Sequence, residues 1–390
     1  MVALVRRGAP LRQAAGEFQV VPSTVLFWTR RAGTERLDRV DWADRPRGPR
    51  TPGNRSPRTM EDLVLSLRVE LKKTSDLGEF GAQAIHAALR ERGGDALPSV
   101  RTIGRILERR GALDGQYRLR RPAPPPGWYL PDLAAGQAEL DSFDIVEGLV
   151  IKGGMAVEVL TGISLHGGLG AAWPQAAITT PVTVDTLVAH WREVGLPTYA
   201  QFDNDTCFQG AHVHPDTLGQ VPRLCLSLGV VPVFVPPRES GFQAAIENFN
   251  GRWQAKVWAR FEHTSRGGVQ SQSAKYIAAS RRKAAPRIES APPRRPFLAR
   301  WAFDPRVRPQ GRLVFLRRTS DDGAVTFLGH TFPVDPAWCH RLVRAEVDLN
   351  AQAIRSYALR RREPLWQPLL RKVSYEFPHR RFTWSPKPVR

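Results

Sequence analysis

The middle of the chain has the pattern that most constrains its fold, because short strand-like runs give way there to alternating helices and strands. The runs "AELDSFDIV", "MAVEVLTGISL" and "LGAAWPQAAIT" predict three strands, since glycine turns separate them. After them, "TVDTLVAHWREVG" and "LGQVPRLCLSLG" predict helices, while "TYAQFD" and "VVPVFVPP" predict strands. The last segment, "SGFQAAIENFNGRWQAKVWARF", has apolar residues at spacings of three and four, which predicts a long packed helix.

This order of elements predicts the fold class. Three antiparallel strands followed by alternating helices and strands describe a mixed sheet covered by helices. That is the ribonuclease H-like arrangement, and we assign it to residues 128–265. With 390 residues, the chain is long enough for two to four domains, so we expect a multidomain α/β protein.

The first block, residues 1–43, has the pattern of a helix-turn-helix domain. Pro22 and Ser23 suit the start of a helix that "TVLFWTRR" continues. This second helix would present four side chains to a DNA major groove, namely Ser23, Thr24, Trp28 and Arg30. A small helical pair with a purely structural role has the same pattern and remains an alternative.

The second block, residues 59–115, predicts three helices, "MEDLVLSLRVEL", "FGAQAIHAALRERG" and "SVRTIGRILERRG". Pro98 and Ser99 stand just before the third helix, where a cap belongs. Three side chains on or near one face of that helix are candidates for DNA contact: Arg101, Thr102 and Arg105. We therefore expect a second DNA-binding domain here.

Composition and short strand-like runs predict the remaining segments. Residues 44–58 and 266–300 are rich in proline and arginine and are interpreted as basic linkers. Residues 301–360 contain short strand-like runs separated by turn residues such as "DDG", which predict a small β-barrel. Residues 361–390 are predicted to be a loose basic tail.

Charge is distributed unevenly along the chain. The formal net charge is +20, yet residues 139–250 hold 12 acidic and 4 basic residues, a local balance of 4 − 12 = −8, so the flanks carry 20 + 8 = +28. Basic flanks favour a polyanionic partner such as DNA, and an acidic centre suits a metal site. Arginine-rich codon usage would explain the preference for arginine over lysine, but not the acidic middle.

The cysteines and the N-terminus exclude other classes of protein. Cys207, Cys225 and Cys339 form no CxxC pair, which argues against a disulfide framework and a cysteine-rich zinc site. A zinc site of His212, His214 and Cys225 is a weak alternative, because a second close pair of ligands is missing. The sequence has no apolar run of about 18 residues and no signal-peptide core, so we expect a cytoplasmic protein, nucleoid-associated when bound to DNA.

Three acidic residues stand at the edges of predicted elements. Asp141 lies in the first strand, Asp203 ends "TYAQFD", and Glu247 lies on the long helix. Two Mg²⁺ ions about 4 Å apart can activate an attacking oxygen and stabilise a leaving oxygen in phosphodiester chemistry, and carboxylates suit such ions. Because the region holds 12 acidic residues, spacing alone allows many other sets of three.

The neighbours of these acids carry a family resemblance. "DNDTCF" is similar to an Asp-Asn-Gly-x-x-Phe pattern, and "IENFN" to a Val-Glu-Arg-Phe-Asn pattern. Both patterns belong to the catalytic core of retroviral-type integrases and related bacterial insertion-sequence transposases, the DDE family. The region 139–261 resembles that core, and the helical blocks and C-terminal strands resemble the family's wider layout.

The resemblance implies that Asp141, Asp203 and Glu247 are the catalytic metal ligands, holding Mg²⁺ or Mn²⁺ as a pair of ions. It also implies that Asn250 supports the site or contacts DNA. Asp205 replaces the family's glycine, which matters if that position needs a positive φ angle. Asp144 is the nearest rival to Asp141, three residues on and so on the opposite face of a regular strand.

We therefore predict a DNA transposase or integrase-like recombinase that cleaves and joins DNA strands and works as a homo-oligomer on the element ends and target. The alternative is a catalytically impaired DNA-binding protein derived from such an enzyme. A ribonuclease H-like nuclease that cuts without joining would share the site. The sequence has no GxxxxGKS phosphate loop, which fits transesterification without an external energy source.

Overall fold

The computed structural model describes residues 1–44, 55–93, 97–113, 125–210, 215–239 and 241–378. These residues form two compact units, Met1–Asp62 and Leu63–Arg390. Most of the first predicted linker, part of the basic tail, and His212 and His214 of the zinc alternative lie outside the described residues. None of the described helices is both long and apolar enough to cross a membrane.

The first unit contains three short helices, α1 (Val2–Arg6), α2 (Leu11–Glu17) and α3 (Pro22–Ala32). Ala14, Ala15 and Val25 are buried where α2 and α3 meet. The proline in the first turn of α3 suits a helix start, because its missing N–H would have no helical partner there. The helix pair therefore lies where the sequence predicted it.

The larger unit begins within α4 (Arg58–Thr74), which packs with α5 (Ala82–Glu91) and α6 (Val100–Arg109). Their shared core consists of seven buried aliphatic residues: Val64, Leu67, Ile85, Leu89, Ile103, Ile106 and Leu107. The Ser99 hydroxyl accepts a hydrogen bond from the Thr102 backbone N–H at 3.2 Å, so the predicted cap of α6 is present.

The central sheet begins with the five strands that the sequence predicted. Its order is β3-β2-β1-β4-β5, with β1 antiparallel to β2 and parallel to β4. β2 pairs antiparallel with β3, and β4 pairs parallel with β5, which agrees with the ribonuclease H-like arrangement. The strands are β1 (Leu140–Ile151), β2 (Met155–Ser164), β3 (Gly170–Gln175), β4 (Tyr199–Phe202) and β5 (Val231–Phe234).

Helices cover both faces of this sheet. On one face, α8 (Thr180–Val194) and α10 (Gln220–Ser227) pack against a core that includes Phe143 of β1. On the other face, α11 (Ala244–Trp253) packs against Val146 of β1. A π-helical turn, Gln254–Trp258, follows α11. Two one-turn helices complete the region, α7 (Pro131–Ala134) and α9 (Thr206–Gln209).

The predicted linker 266–300 is largely helical. Residues Arg266–Glu289 form α12, which packs along β3 and against the π-helical turn that follows α11. Val269, Ser273, Tyr276 and Ala279 are buried at spacings of three and four, so one face of an otherwise basic helix packs on the sheet. The basic composition of this segment concealed that apolar face.

The C-terminal strands extend the sheet, where the sequence predicted a separate small β-barrel over residues 301–360 and a loose tail after it. β6 pairs parallel with β5 and antiparallel with β9, which continues to β10 and β11. β6 thereby supplies hydrogen-bond partners to the edge of β5. β7 and β8 form a separate hairpin. The bounds are β6 (Arg312–Arg318), β7 (Ala324–Phe327), β8 (His330–Pro333), β9 (Leu342–Asp348), β10 (Ala353–Leu359) and β11 (Leu369–Ser374).

Candidate active site

The register between β1 and β4 shows which acids share a face of the sheet. Ser142 of β1 is the partner of Gln201 of β4, and the Gln201 amide donates to the Ser142 hydroxyl at 3.2 Å. The same amide donates to the backbone oxygen of Phe242, just before α11, at 3.1 Å. Side chains two residues further along each chain return to this face, and those residues are Asp144 and Asp203.

Asp141, the predicted first ligand, faces the other way. Its carboxylate accepts a hydrogen bond from the Trp191 indole of α8 at 3.1 Å, and Arg294 binds both of its oxygens. Only 2% of the residue is exposed. Burial raises the pKa of Asp141, while the charge of Arg294 and the Trp191 hydrogen bond oppose that shift. The structure therefore separates Asp141 from Glu247 and gives it a structural ion pair.

Asp144 lies beside Asp203 and Glu247. Its Oδ1 accepts a hydrogen bond from the Ile145 backbone N–H at 2.9 Å, and its Oδ2 accepts one from the Asn250 amide at 2.7 Å. Burial raises the pKa of Asp144 to about 6, and the negative charges of Asp203 and Glu247 add to the shift. Asp144 is therefore close enough to Asp203 and to Glu247 for both carboxylates to repel it.

Asp203 follows directly after β4 and is held in a turn. Its Oδ1 accepts a hydrogen bond from the Asp205 backbone N–H at 2.9 Å, and burial raises its pKa. Asp205 in turn caps α9, because its carboxylate accepts from the Cys207 N–H at 2.7 Å. Its φ angle is −59°, so this position does not need glycine's freedom to adopt positive φ.

Glu247 and Asn250 come from the same helix but differ in exposure. Glu247 lies in the first turn of α11 and is exposed, so its carboxylate is free to reorient. Asn250, one turn further on, is only 7% exposed, and its amide donates a hydrogen bond to Asp144. Gly170 allows α11 to approach closely, since a Cβ there would lie 2.7 Å from the Phe249 ring.

Asp144, Asp203 and Glu247 offer only carboxylate oxygens to a divalent cation. In the part of the chain that the structure describes, no three His, Cys, Asp or Glu residues are grouped as a ready metal site. The chemistry nevertheless fits, because carboxylate oxygens are the ligands that Mg²⁺ prefers and repulsion among uncompensated carboxylates would keep them apart. The buried Asn250 Oδ1 also has no hydrogen-bond partner among the described residues, which suits a polar atom facing a hydrated ion.

The predicted DNA-binding side chains differ in exposure. On α3, Ser23 and Arg30 are exposed, whereas Thr24 is half-buried. Trp28 is also half-buried and packs against a small core within the first unit, so part of its side chain is covered by other residues.

On α6, Arg101 and Arg105 are exposed, as a surface for phosphate contact requires. Thr102 is half-buried, and its hydroxyl hydrogen-bonds the Ser99 hydroxyl at 2.9 Å. The two arginines of α6, like Ser23 and Arg30 of α3, therefore remain exposed candidates for DNA contact.

In the sequence, the family pattern favours Asp141 over its rival Asp144. The missing information was which face of β1 is covered by the helix that carries Glu247. Counting from the Ser142–Gln201 pair would have identified Asp144, but that pairing is a tertiary feature. The Arg294 partner of Asp141, 153 residues away, had no signal in the sequence.

Comparisons with known proteins give only distant likenesses. No protein-family model and no curated protein matches the chain. The catalytic core domain of BIV integrase matches with a TM-score of 0.28 and 15% identity, covering 36% of this chain and 81% of that one.

Two further solved structures have similarly low TM-scores and sequence identities. An intasome of simian T-cell lymphotropic virus in complex with PP2A regulatory subunit B56 gamma has a TM-score of 0.33 and 13% identity, over 69% of this chain and 87% of that one. The HTLV-2 integrase catalytic core domain in complex with magnesium has a TM-score of 0.26 and 12% identity, over 34% and 81%. TM-scores this low carry no argument about function.

Proposed function

We propose that the protein is a DNA transposase or integrase-like recombinase that cleaves and joins DNA strands with divalent metal ions. The observation that carries the proposal is that Asp203 and Glu247 lie near enough to Asp144 to add their negative charges to its environment, on the sheet face where Asn250 of α11 binds Asp144. Burial and the negative charges of Asp203 and Glu247 raise the pKa of Asp144, and a carboxylate perturbed in this way is typical of functional sites.

The proposed metal ligands are Asp144, Asp203 and Glu247, with Asp144 in place of the Asp141 that the family resemblance implied. Arg294 and Trp191 bind the Asp141 carboxylate, whereas the Asp144 carboxylate lies within the electrostatic reach of both Asp203 and Glu247. Asn250 would orient Asp144 through its amide hydrogen bond. Bound Mg²⁺ or Mn²⁺, as a pair of ions, would activate the attacking oxygen and stabilise the leaving oxygen.

The proposed substrate is double-stranded DNA. The net charge of +20 and the exposed arginines of α6 favour a polyanion, and the exposed arginine of α3 adds a second point of contact. Strand joining by a DNA 3′-hydroxyl requires two DNA segments in one complex, so we propose that the protein acts as a homo-oligomer.

The test is a strand-transfer assay with labelled DNA from both flanks of the coding region, in Mg²⁺ or Mn²⁺. We expect nicking and joining with the unmodified protein, and loss of both with Asp144→Asn, Asp203→Asn and Glu247→Gln. Nicking and joining that persist in Asp203→Asn would refute the assignment. Products that are nicked but never joined would instead favour a nuclease.

The catalytically impaired DNA-binding alternative is tested by metal titration. A regulator without catalysis should bind DNA with an affinity that falls steeply with salt, yet show no Mg²⁺ binding that depends on Asp144 or Asp203. A recombinase should show both properties. Calorimetric titration with Mn²⁺, on the unmodified protein and on Asp203→Asn, separates the two.

A further inference from the structure

Arg317 of β6 reaches from the C-terminal strands to the turn that holds Asp203. It is 7% exposed, and its Nη1 donates to the backbone oxygens of Val235 at 2.9 Å and Leu316 at 2.8 Å. Its Nη2 donates to the Asn204 side-chain oxygen at 2.8 Å. A cation from a distant part of the sequence thus contacts the residue next to a proposed metal ligand.

This buried cation is unusual in its partners. Among the described residues, the hydrogen-bond acceptors of Arg317 are carbonyl and amide oxygens, with no carboxylate. Burial lowers the pKa of Arg317 to about 10, so it stays charged at neutral pH. Removing a cation from water costs several kcal/mol, and a neutral side chain could fill the same space without that penalty. A role beyond packing would account for the charge.

Asn204 connects the guanidinium to the site. While its oxygen accepts from Arg317, its amide donates to the backbone oxygen of Val235 at 2.8 Å. Both ends of the Asn204 side chain are therefore held, and the backbone of the Asp203 turn is fixed against the ends of β5 and β6. The purely structural alternative is that Arg317 supports the β5–β6 pairing, which is only two residues long.

We infer that Arg317 is a positioning residue for metal binding, which acts through Asn204 to hold Asp203 in the orientation that a divalent cation requires. The inference rests on the proposed function. It makes the C-terminal strands part of the active site, since the side chain that braces Asp203 comes from β6. Partners of metal ligands usually change metal affinity by about 10- to 100-fold when removed.

The test measures Mn²⁺ affinity by calorimetry on the full-length protein. Arg317→Met removes the charge and the hydrogen bonds, and we expect Mn²⁺ binding to weaken by about tenfold or more. Arg317→Lys keeps the charge without the planar fork and should give an intermediate loss. The matched control is Arg312→Met on the same strand. The Arg312 guanidinium donates to the Glu346 carboxylate at 3.4 Å, away from Asn204, so this variant should leave Mn²⁺ affinity unchanged.

Asn204→Ala tests whether Arg317 acts on Asp203 through Asn204, and this test does not depend on the folding of the Arg317 variants. It should weaken Mn²⁺ binding by a similar factor. The double variant should lose little more than either single variant, because both remove one connection. If Arg317→Met folds and Asn204→Ala folds, yet both keep the Mn²⁺ affinity of the unmodified protein, the inference is overturned.

These outcomes are distinct from failure of the proposed function. If the unmodified protein shows no Mn²⁺ binding that Asp203→Asn abolishes, the proposed function itself fails. If that binding exists and only thermal stability changes in the Arg317 and Asn204 variants, Arg317 has the structural role and the positioning role is refuted.

Discussion

Asp144→Asn should stabilise the metal-free protein at neutral pH and abolish its response to metal. The folded-state pKa of Asp144 is about 6 against an ordinary 3.8, so the folded protein binds this proton more tightly than the unfolded chain does. Ionisation of Asp144 therefore lowers stability as the pH rises from about 4 to about 6, and the loss is constant above that range.

The magnitude follows from the size of the shift. A change of about two pKa units corresponds to about 3 kcal/mol at pH 8, and about half of that remains at pH 5. The new amide keeps the Ile145 hydrogen bond. The amide nitrogen of the new asparagine can also donate to Asn250 Oδ1, which has no hydrogen-bond partner among the described residues, if the Asn250 amide group flips. Few hydrogen bonds are therefore lost. We expect a gain of about 1–3 kcal/mol in the free energy of unfolding.

The assay is urea denaturation of metal-free protein at pH 8 and pH 5, repeated with Mg²⁺. The free energy of unfolding of Asp144→Asn should exceed that of the unmodified protein by more at pH 8 than at pH 5. Mg²⁺ should stabilise only the unmodified protein. Asp141→Asn is the matched control, and it should destabilise because it weakens the buried partner of Arg294. The reasoning is refuted if Asp144→Asn lowers stability at pH 8 or if Mg²⁺ stabilises it as well.

Three other predictions follow from contacts outside the carboxylate site. Arg294→Met should cost about 3–5 kcal/mol in the free energy of unfolding, since it leaves the Asp141 carboxylate buried without its cation, and a loss under 1 kcal/mol in urea denaturation would contradict this. Arg105→Ala should reduce the slope of log DNA affinity against log salt by about 0.9 if this exposed arginine neutralises one phosphate, which fluorescence anisotropy at several salt concentrations would measure. Arg260→Ala should speed proteolysis of the segment after α4, because Arg260 donates to the Ser75 backbone oxygen at 2.6 Å, and an unchanged cleavage rate would show that other contacts hold that segment.

Local pattern was sufficient to predict the elements of the central sheet. Glycine turns and the change of periodicity located β1 to β5, and the spacing of Phe242, Ile246, Phe249 and Trp253 located α11. The Asp203 turn and the Glu247 helix were also found, because each lies in a local sequence frame that does not depend on distant contacts. The cap that Ser99 provides to α6 was likewise predictable from local sequence.

Predictions failed where composition concealed packing. The segment 266–300 is basic enough to resemble a linker, yet α12 buries Val269 and Tyr276 against the sheet. The C-terminal strands resemble a small barrel in sequence, but β6 pairs with the edge of β5 and extends the sheet. In both segments a distant partner, which local composition does not specify, determined the structure.

Local sequence patterns were enough to predict an acidic, mixed-sheet centre between basic flanks, and to place Asp203 and Glu247 at the edges of elements. That Asp144 lies near them, whereas Asp141 faces α8, emerged from the packing of the helices on the sheet. The physical reason is that side chains alternate across a strand, so the role of each acid depends on which face the Glu247 helix covers. That choice is made by contacts across the sheet, such as Asp141 with Arg294 and Asp144 with Asn250, which join residues more than 100 positions apart.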